Sequence, residues 1–330
     1  IRYPDYIGIV GSSPTPSVFQ FKVMIEVKNL YKYYGEDPAL LGISFNVEKG
    51  EILGFLGPNG AGKTTTLRII TGFLYPTSGE VLIDGKKIKE DPLYCKKKLG
   101  YLPEDNPLYT DLTPREYLSF CAEAREIENK NKKLEEVMEK TQIKEVWEKP
   151  IGELSKGYRQ RVGIAQALLH DPEVLIMDEP TTGLDPVQII EIRNLIKELS
   201  REKTILLSTH ILPEVEMLAS RVIIIHKGII RAEGTPRELS KKFRSKEIYF
   251  ALKGDEKEIR EKMDKLDFIS SYEIEKRGEA VYGKFLPKEN GDPREKFAKF
   301  AYENKFLILE LYSKSLGLEE VFVELMKEEG

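Results

Sequence analysis

Gly57-Pro58-Asn59-Gly60-Ala61-Gly62-Lys63-Thr64-Thr65 fills the pattern GxxxxGK[ST] completely, a glycine-rich turn that delivers a lysine and a hydroxyl to one place. Its flanks supply the required context. Glu51-Ile52-Leu53-Gly54-Phe55-Leu56 is a short apolar run that reads as a buried strand, and Thr65 to Gly72 has helical spacing with glycine at its end. Gly57, Gly60 and Gly62 let the backbone turn sharply, so that successive N–H groups and a helix N-terminus point into one concavity that favours an anion. A nucleotide β-phosphate fits there. Lys63 reaches the β- and γ-phosphates as a point charge, Thr64 offers its hydroxyl to Mg²⁺, and Thr65 caps the α-phosphate side.

A second piece of chemistry follows about 110 residues on. Glu173-Val174-Leu175-Ile176-Met177-Asp178-Glu179-Pro180 is an apolar strand delivering two carboxylates at its C-terminal end. Beside a phosphate loop, Asp178 can hold the Mg²⁺ shell through water and Glu179 can polarise an attacking water. Thr204-Ile205-Leu206-Leu207-Ser208-Thr209-His210 is another buried strand ending in a polar group, where ligands gather in open α/β sheets. A lone histidine more often serves core or surface, but this placement makes His210 a candidate γ-phosphate contact.

Around these motifs the pattern is mixed. Ile25-Glu26-Val27 and Ile43-Ser44-Phe45-Asn46-Val47 alternate like antiparallel strands with one wet face. Asn29 to Gly35 between them reads as a polar turn studded with aromatics, one of which could stack on a purine or simply cover the core. Pro76-Thr77-Ser78-Gly79 reads as a turn before the strand Glu80 to Lys86, which ends at Asp84-Gly85, and Lys96 to Lys98 as a basic turn before the strand Leu99 to Leu102. Helical patterns run from Pro114 to about Thr141, opened by Thr113 with Pro114 and Glu116 as a capping box.

Composition narrows the function. The 330 residues allow two domains, and 41% of them are apolar. The 51 basic and 55 acidic residues leave a formal charge of -4, so nothing polycationic points to nucleic acid. Cys95 and Cys121 form no metal-spaced cluster. No apolar run approaches the ~18 residues needed to span a bilayer. Residues 1–23 carry Pro4, Pro14 and Pro16 and no signal-peptide pattern; Met24 reads as the natural initiator, with residues 1–23 an upstream segment or a short native arm.

From Lys246 the pattern changes to strand, helix, two strands, helix and strand, closed by an amphipathic helix from Leu318 to Lys327. That order fits a small split βαβ unit over residues 246–330. RNA-binding domains share the topology, but 16 basic against 20 acidic residues and no aromatic RNP pattern argue against nucleic acid.

Taken together, the motifs over about residues 24–240 resemble the ATP-binding subunit of an ABC transporter. Leu154-Ser155-Lys156-Gly157-Tyr158-Arg159-Gln160-Arg161 resembles the LSGGQ signature, with Lys156 and Tyr158 in place of the commoner residues. Thr182-Gly183-Leu184-Asp185 resembles the D-loop, Ser208-Thr209-His210 the switch histidine, and Tyr34 the adenine-stacking aromatic. Glu104, in Tyr-Leu-Pro-Glu, stands where the family has its Q-loop glutamine, a form similar to the ABC-2 type export branch.

The resemblance implies an α/β P-loop NTPase fold: a mixed sheet core, an antiparallel β subdomain and a helical subdomain over about 104–165, with residues 246–330 as an α+β accessory domain. It implies ATP and Mg²⁺ as ligands, with Tyr34, residues 57–65, Glu104, Ser155, Lys156, Gly157, Asp178 and Asp185 binding them, Thr64, Asp178 and Glu104 on the metal side, and Glu179 and His210 catalytic. It further implies head-to-tail pairing with an identical or related ATPase chain, and a membrane-spanning permease that docks near Glu104 to Thr113. The chain would then sit peripherally on the cytoplasmic face of the cell membrane and drive export. A soluble ABC switch in translation or DNA repair, or an importer ATPase, is the alternative. One cassette per chain and the short interval between Lys63 and the second strand favour transport.

Overall fold

The computed structural model describes residues 22–242, 244–288, 292–315, 319–320 and 322. Most of residues 1–23 and most of the helix expected over Leu318 to Lys327 therefore lie outside the described residues.

The chain opens with β1 (Val23–Tyr34) and β2 (Asp37–Glu48), then β3 (Ile52–Leu56), α1 (Lys63–Ile70), β4 (Ser78–Ile83), β5 (Lys86–Lys87), α2 (Pro92–Lys98) and β6 (Leu99–Leu102). Three helices follow, α3 (Pro114–Ala124), α4 (Lys130–Lys140) and α5 (Lys156–Leu168). The alternating half is β7 (Val174–Asp178), α6 (Pro186–Leu199), β8 (Thr204–Thr209), α7 (Leu212–Leu218), β9 (Arg221–His226), β10 (Ile229–Gly234) and α8 (Pro236–Lys242). Last come β11 (Arg244–Lys253), α9 (Glu256–Met263), β12 (Ile269–Arg277), β13 (Ala280–Pro287), α10 (Arg294–Glu303) and β14 (Leu307–Ser315).

The central sheet has the order β10-β9-β3-β8-β7-β6, parallel except for β10 against β9. Period-two alternation explains why its strands read as unbroken apolar runs. Val174, Ile176, Leu206, Leu53 and Phe55 pack on the face that α1 covers with Leu67, Ile69 and Ile70. Leu175, Met177, Ile205 and Leu207 pack on the other face with residues of α5 and α6. An antiparallel sheet, β2-β1-β4-β5, lies over the α1 side, where Phe45 meets Phe55 at 5.3 Å between ring centroids.

Two local expectations fail, and a third, the turn over Pro76 to Gly79, holds only as far as Thr77 because β4 already begins at Ser78. Asn29 to Gly35 is no turn: β1 stays paired with β2 as far as Tyr34 opposite Asp37, and the turn is confined to Gly35, at φ +62, and Glu36. Register shifts after Val27 and Leu30 spoil the alternation that a strand shows in sequence, while the tyrosines suit a pleated, half-wet surface. Nor is Lys96 to Lys98 a turn. These lysines form the last turn of α2, which Asp91 caps by accepting from Tyr94 N at 3.1 Å and Pro92 opens; positive charge suits a helix C-terminus. The capping box at Thr113 and Glu116 is present as read.

The helices α3 to α5 share a core that includes Leu118, Leu134, Val137 and Val162. His170, just past α5, joins them to β6: Nε2 donates to Leu99 O at 2.9 Å, and Nδ1 accepts from Arg125 Nη1 at 3.0 Å. Burial, with Arg125 beside it, pushes its pKa down to about 4. The imidazole is thus neutral at physiological pH, which lets one ring donate on one side and accept on the other.

Residues 244–315 build a third sheet, β12-β13-β11-β14, antiparallel throughout. This is the split βαβ order, and its core is separate: Phe250, Phe285, Phe297 and Phe300 cluster with Ile259 and Met263 of α9. Phe297, fully buried, lies 4.7 Å from Phe250 and 4.8 Å from Phe285 between centroids.

Two outcomes follow from this packing. Phe297→Ala should cost about 3–5 kcal/mol in the third sheet; hydrogen exchange is expected to show lost protection over residues 244–315 while residues 24–240 keep theirs. For His170 the folded pKa lies below the usual 6.5. An unfolded chain therefore binds a proton that the folded one refuses, and stability falls as pH drops from about 6.5 toward 4. Denaturant titrations across that window should show a shallower fall for His170→Gln.

Candidate functional site

The parallel strands place the site. Leu56 pairs with Thr209 and Asp178 with Ser208, so the loops leaving β3, β7 and β8 open side by side at one sheet edge. Gly57 N donates to Thr209 O at 3.3 Å, which ties the first loop to the third strand.

Each glycine of the loop serves a different purpose. Gly57 needs no special φ; a Cβ there would stand 2.5 Å from the Ile225 carbonyl oxygen. Gly62 combines φ +106 with the close approach of Ala39 O and Leu40. It is also the N-cap of α1 and offers no side chain, so the amides of Lys63, Thr64 and Thr65 open the helix without a side-chain cap. An uncapped helix N-terminus suits an anion by its charge and free amides. Pro58 O accepts from Ala61 N at 3.2 Å, while Asn59 and Gly60 form the exposed tip.

Lys63 is buried. Its ammonium donates to Gly57 O at 2.8 Å and Pro58 O at 3.2 Å, and lies 3.2 Å from Glu179 Oε1. Glu179, also buried, sits at φ +50, a conformation that costs a non-glycine residue of the order of 1 kcal/mol. Its amide is held by Ser208 Oγ at 3.1 Å. Its Oε2 accepts from Thr182 Oγ1 at 3.0 Å and from His210 Nδ1 at 2.8 Å. The carboxylate is therefore divided, one oxygen toward a cation and one toward an imidazole whose Nε2 remains available.

Asp178 is fully buried; Oδ1 accepts from Ser208 Oγ, whereas Oδ2 has no partner. Burial pushes its carboxyl up, against the hydroxyls of Ser208 and Thr64 and the charge of Lys63, which pull it down. A buried oxygen left unpaired beside a hydroxyl and a second carboxylate has the donor chemistry of a hard-cation shell.

Lys63, Thr64, Asp178, Glu179 and His210 thus come together as the sequence implies. Other candidates lie further out. Tyr34, half-exposed, sits at the hairpin tip with the Lys32 ammonium 5.2 Å from its ring centroid, across the hairpin turn from β2, whose Ala39 and Leu40 brush Gly62. Glu104 is exposed just past β6, whose Leu102 pairs with Met177, so it shares the edge that carries Asp178. Ser155 caps α5 by accepting from Tyr158 N at 3.3 Å, and Ser155 and Lys156 are exposed. Gly157 packs on Gln188 and Lys156 reaches over Gly183. Asp185 caps α6, accepting from Val187 N and Gln188 N at 3.0 and 2.9 Å. These residues form a second cluster around the starts of α5 and α6. Ser208 and Thr182 fall inside stretches that the sequence singles out, yet nothing in those stretches marks either hydroxyl as a working group; Glu214 falls in none of them.

Comparison with known proteins agrees with this geometry. Residues 40–182 match the family model described as ABC transporter. The bacitracin transport ATP-binding protein BcrA of Bacillus licheniformis is 37% identical over 305 residues, spanning 92% of this chain and 97% of that protein. The Nod factor export ATP-binding protein I of Burkholderia orbicola is 37% identical and covers 65% of this chain and 72% of its own length. A solved ATP-binding subunit of an ABC transporter superposes with a TM-score of 0.60 at 32% identity, covering 67% of this chain and 93% of that one. A dimeric ATP-binding cassette in a post-hydrolysis state, bound to ADP and Pi, gives 0.59 at 29% identity over 64% of this chain and 98% of its own. With its motifs, its fold and a relative aligned along nearly its whole length, the chain belongs to the ATP-binding subunits of ABC transporters and is an ATPase.

Proposed function

We propose that this ATPase powers export through a separate membrane permease, and that two such chains close head to tail around ATP. The observation that carries the catalytic part is the divided carboxylate of Glu179, held in a left-handed conformation between Lys63 and His210. Strain that survives in a native fold is maintained by its surroundings, and it collects at working groups.

The residues take these roles. The amides of residues 57–65 and the Lys63 ammonium bind the phosphates, and Tyr34 stacks on the base. Glu179 orients the attacking water and takes its proton, while His210, fixed through Nδ1, presents Nε2 to the terminal phosphate. Thr64 and Asp178, with Glu104 at the same edge, would hold Mg²⁺, and the unpartnered Oδ2 of Asp178 suits that donor set. When bound, the ion neutralises charge on the phosphates. Ser155, Lys156, Gly157 and Asp185 cluster at the exposed starts of α5 and α6, so they serve the loop of a second copy rather than their own. The dimeric state of the solved cassette bound to ADP and Pi is consistent with that pairing.

Export rests on the relatives named for bacitracin transport and Nod factor export, the first aligned through the C-terminal sheet as well. Among the described residues no helix is long and apolar enough to cross a membrane, and this reading places the permease in a separate chain. A groove of about 760 Å³ beside Pro103, Asp105 and Asn106, with Phe73 and Tyr101 in its lining, is the docking place this reading assigns to it. The chain then lies peripherally on the cytoplasmic face of the membrane.

Glu179→Gln is the direct test. It should retain ATP binding, lose turnover by two or more orders of magnitude, and accumulate an ATP-bound dimer in size-exclusion chromatography; undiminished hydrolysis would remove Glu179 from this role. Asp178→Asn removes a buried carboxyl group that has one oxygen unpartnered and whose ionised form burial disfavours. It should raise Tm by about 2–4 °C, corresponding to ~1 kcal/mol, measured without nucleotide, while abolishing Mg²⁺-dependent hydrolysis.

A further inference from the structure

Behind the pair formed by Glu179 and His210 stands a third carboxyl group that the reaction as described does not use. Glu214, on α7, is only 1% exposed. Its Oε2 accepts from Thr209 Oγ1 at 2.8 Å, and its Oε1 accepts from Thr181 Oγ1. Thr209 directly precedes His210. Thr181 follows Glu179 by two residues and adjoins Thr182, whose hydroxyl holds Glu179 Oε2. One side chain therefore grips the segment carrying Glu179 and the segment carrying His210 at once.

The grip is rigid. Thr181 and Thr209 are 2% and 0% exposed. Thr209 Oγ1 also accepts from Ile211 N at 3.0 Å, which fixes the turn into α7. Val215, the next residue on α7, packs into a core with Leu56, Val222 and Ile224, and its methyl group lies 2.9 Å from where a Cβ on Gly54 would stand. Arg193 Nη2, from α6, stands 3.7 Å from Glu214 Oε1 and supplies the opposite charge. A buried carboxyl group is costly unless such partners surround it, so its retention calls for a reason.

We propose that Glu214 is a positioning residue for ATP hydrolysis: through Thr181 and Thr209 it fixes the spacing of Glu179 and His210, without touching nucleotide or loop. Misplacement of reacting groups by about 1 Å costs of the order of 100-fold. The proposal rests on Glu179 and His210 acting in turnover, and the experiment separates the two ideas.

In the full chain, Glu214→Ala should lower kcat by about 100-fold with the KM for ATP unchanged within about twofold, whereas Glu214→Gln, which still bridges two hydroxyls, should recover most of the rate. In a Glu179→Gln background, Glu214→Ala should add no further loss, because both act on one step. Thr181→Ala removes one arm of the grip, should lower kcat by about 10-fold, and serves as the test should Glu214→Ala not fold. A Glu214→Ala or Thr181→Ala protein that folds and turns over at the normal rate would overturn the proposal. So would a loss shared equally by ATP affinity, or a Glu214→Gln variant as impaired as Glu214→Ala. A fully active Glu179→Gln would instead sink the underlying reading of the site.

Discussion

The contact between Lys63 and Glu179 constrains everything around it. Two opposite charges lie 3.2 Å apart, with side chains 6% and 5% exposed. Removing both from water costs several kcal/mol each, and their mutual attraction offsets this only when the remaining donors and acceptors are satisfied. The fold satisfies them from separate places: two carbonyls of the loop on Lys63, and Thr182 and His210 on Glu179. Three segments must therefore arrive together, and the parallel register of β3, β8 and β7 is what brings them.

That dependence also explains what could be read from sequence. Strands β3, β7 and β8 are covered on both faces, so burial writes itself as an uninterrupted apolar run, and the loops they deliver were legible with them. The capping box at Thr113 was legible because caps are local chemistry. Tyr31 to Tyr34 misread as a turn because register shifts in β1 erase the period of two, a property of its pairing with β2 rather than of its own residues. Lys96 to Lys98 misread because a short helix with one buried residue, Cys95, leaves no stripe to see. Glu214 was invisible for a third reason. On a helix of seven residues beside Glu216 it reads as ordinary surface charge, and only the fold reveals that Thr181 and Thr209 meet it from 33 and 5 residues away.

The two clusters differ in how much of their chemistry is already spoken for. In the first, charges face one another. In the second, around α5 and α6, Ser155 and Asp185 spend their side chains on helix caps, which fixes the direction in which each helix start points. Asp185 satisfies two amides of α6, whereas Ser155 satisfies only that of Tyr158, leaving the first amides of α5 free of a side-chain cap. A half-capped, exposed helix start suits an incoming anion better than a fully capped one. Under the proposed pairing, this difference favours α5 over α6 as the element that completes a phosphate site on a neighbouring chain.

Finally, the site is the part of the molecule that folding alone would not choose. Asp178 is buried with one oxygen unpaired, and Glu179 is held in a conformation that disfavours any residue with a Cβ. Each would be relieved by a simple substitution, so the fold must supply compensation elsewhere, and it does so in the apolar strands beneath. Such an arrangement gains from a ligand more than a relaxed one would: a cation beside Asp178 would satisfy the oxygen that has no hydrogen-bond partner. Binding energy is then available to change how chains associate, because a ligand moves an equilibrium only by the difference in its affinity for two states. In the proposed cycle, conversion of ATP binding into movement begins with a deficit that the protein carries in its own side chains.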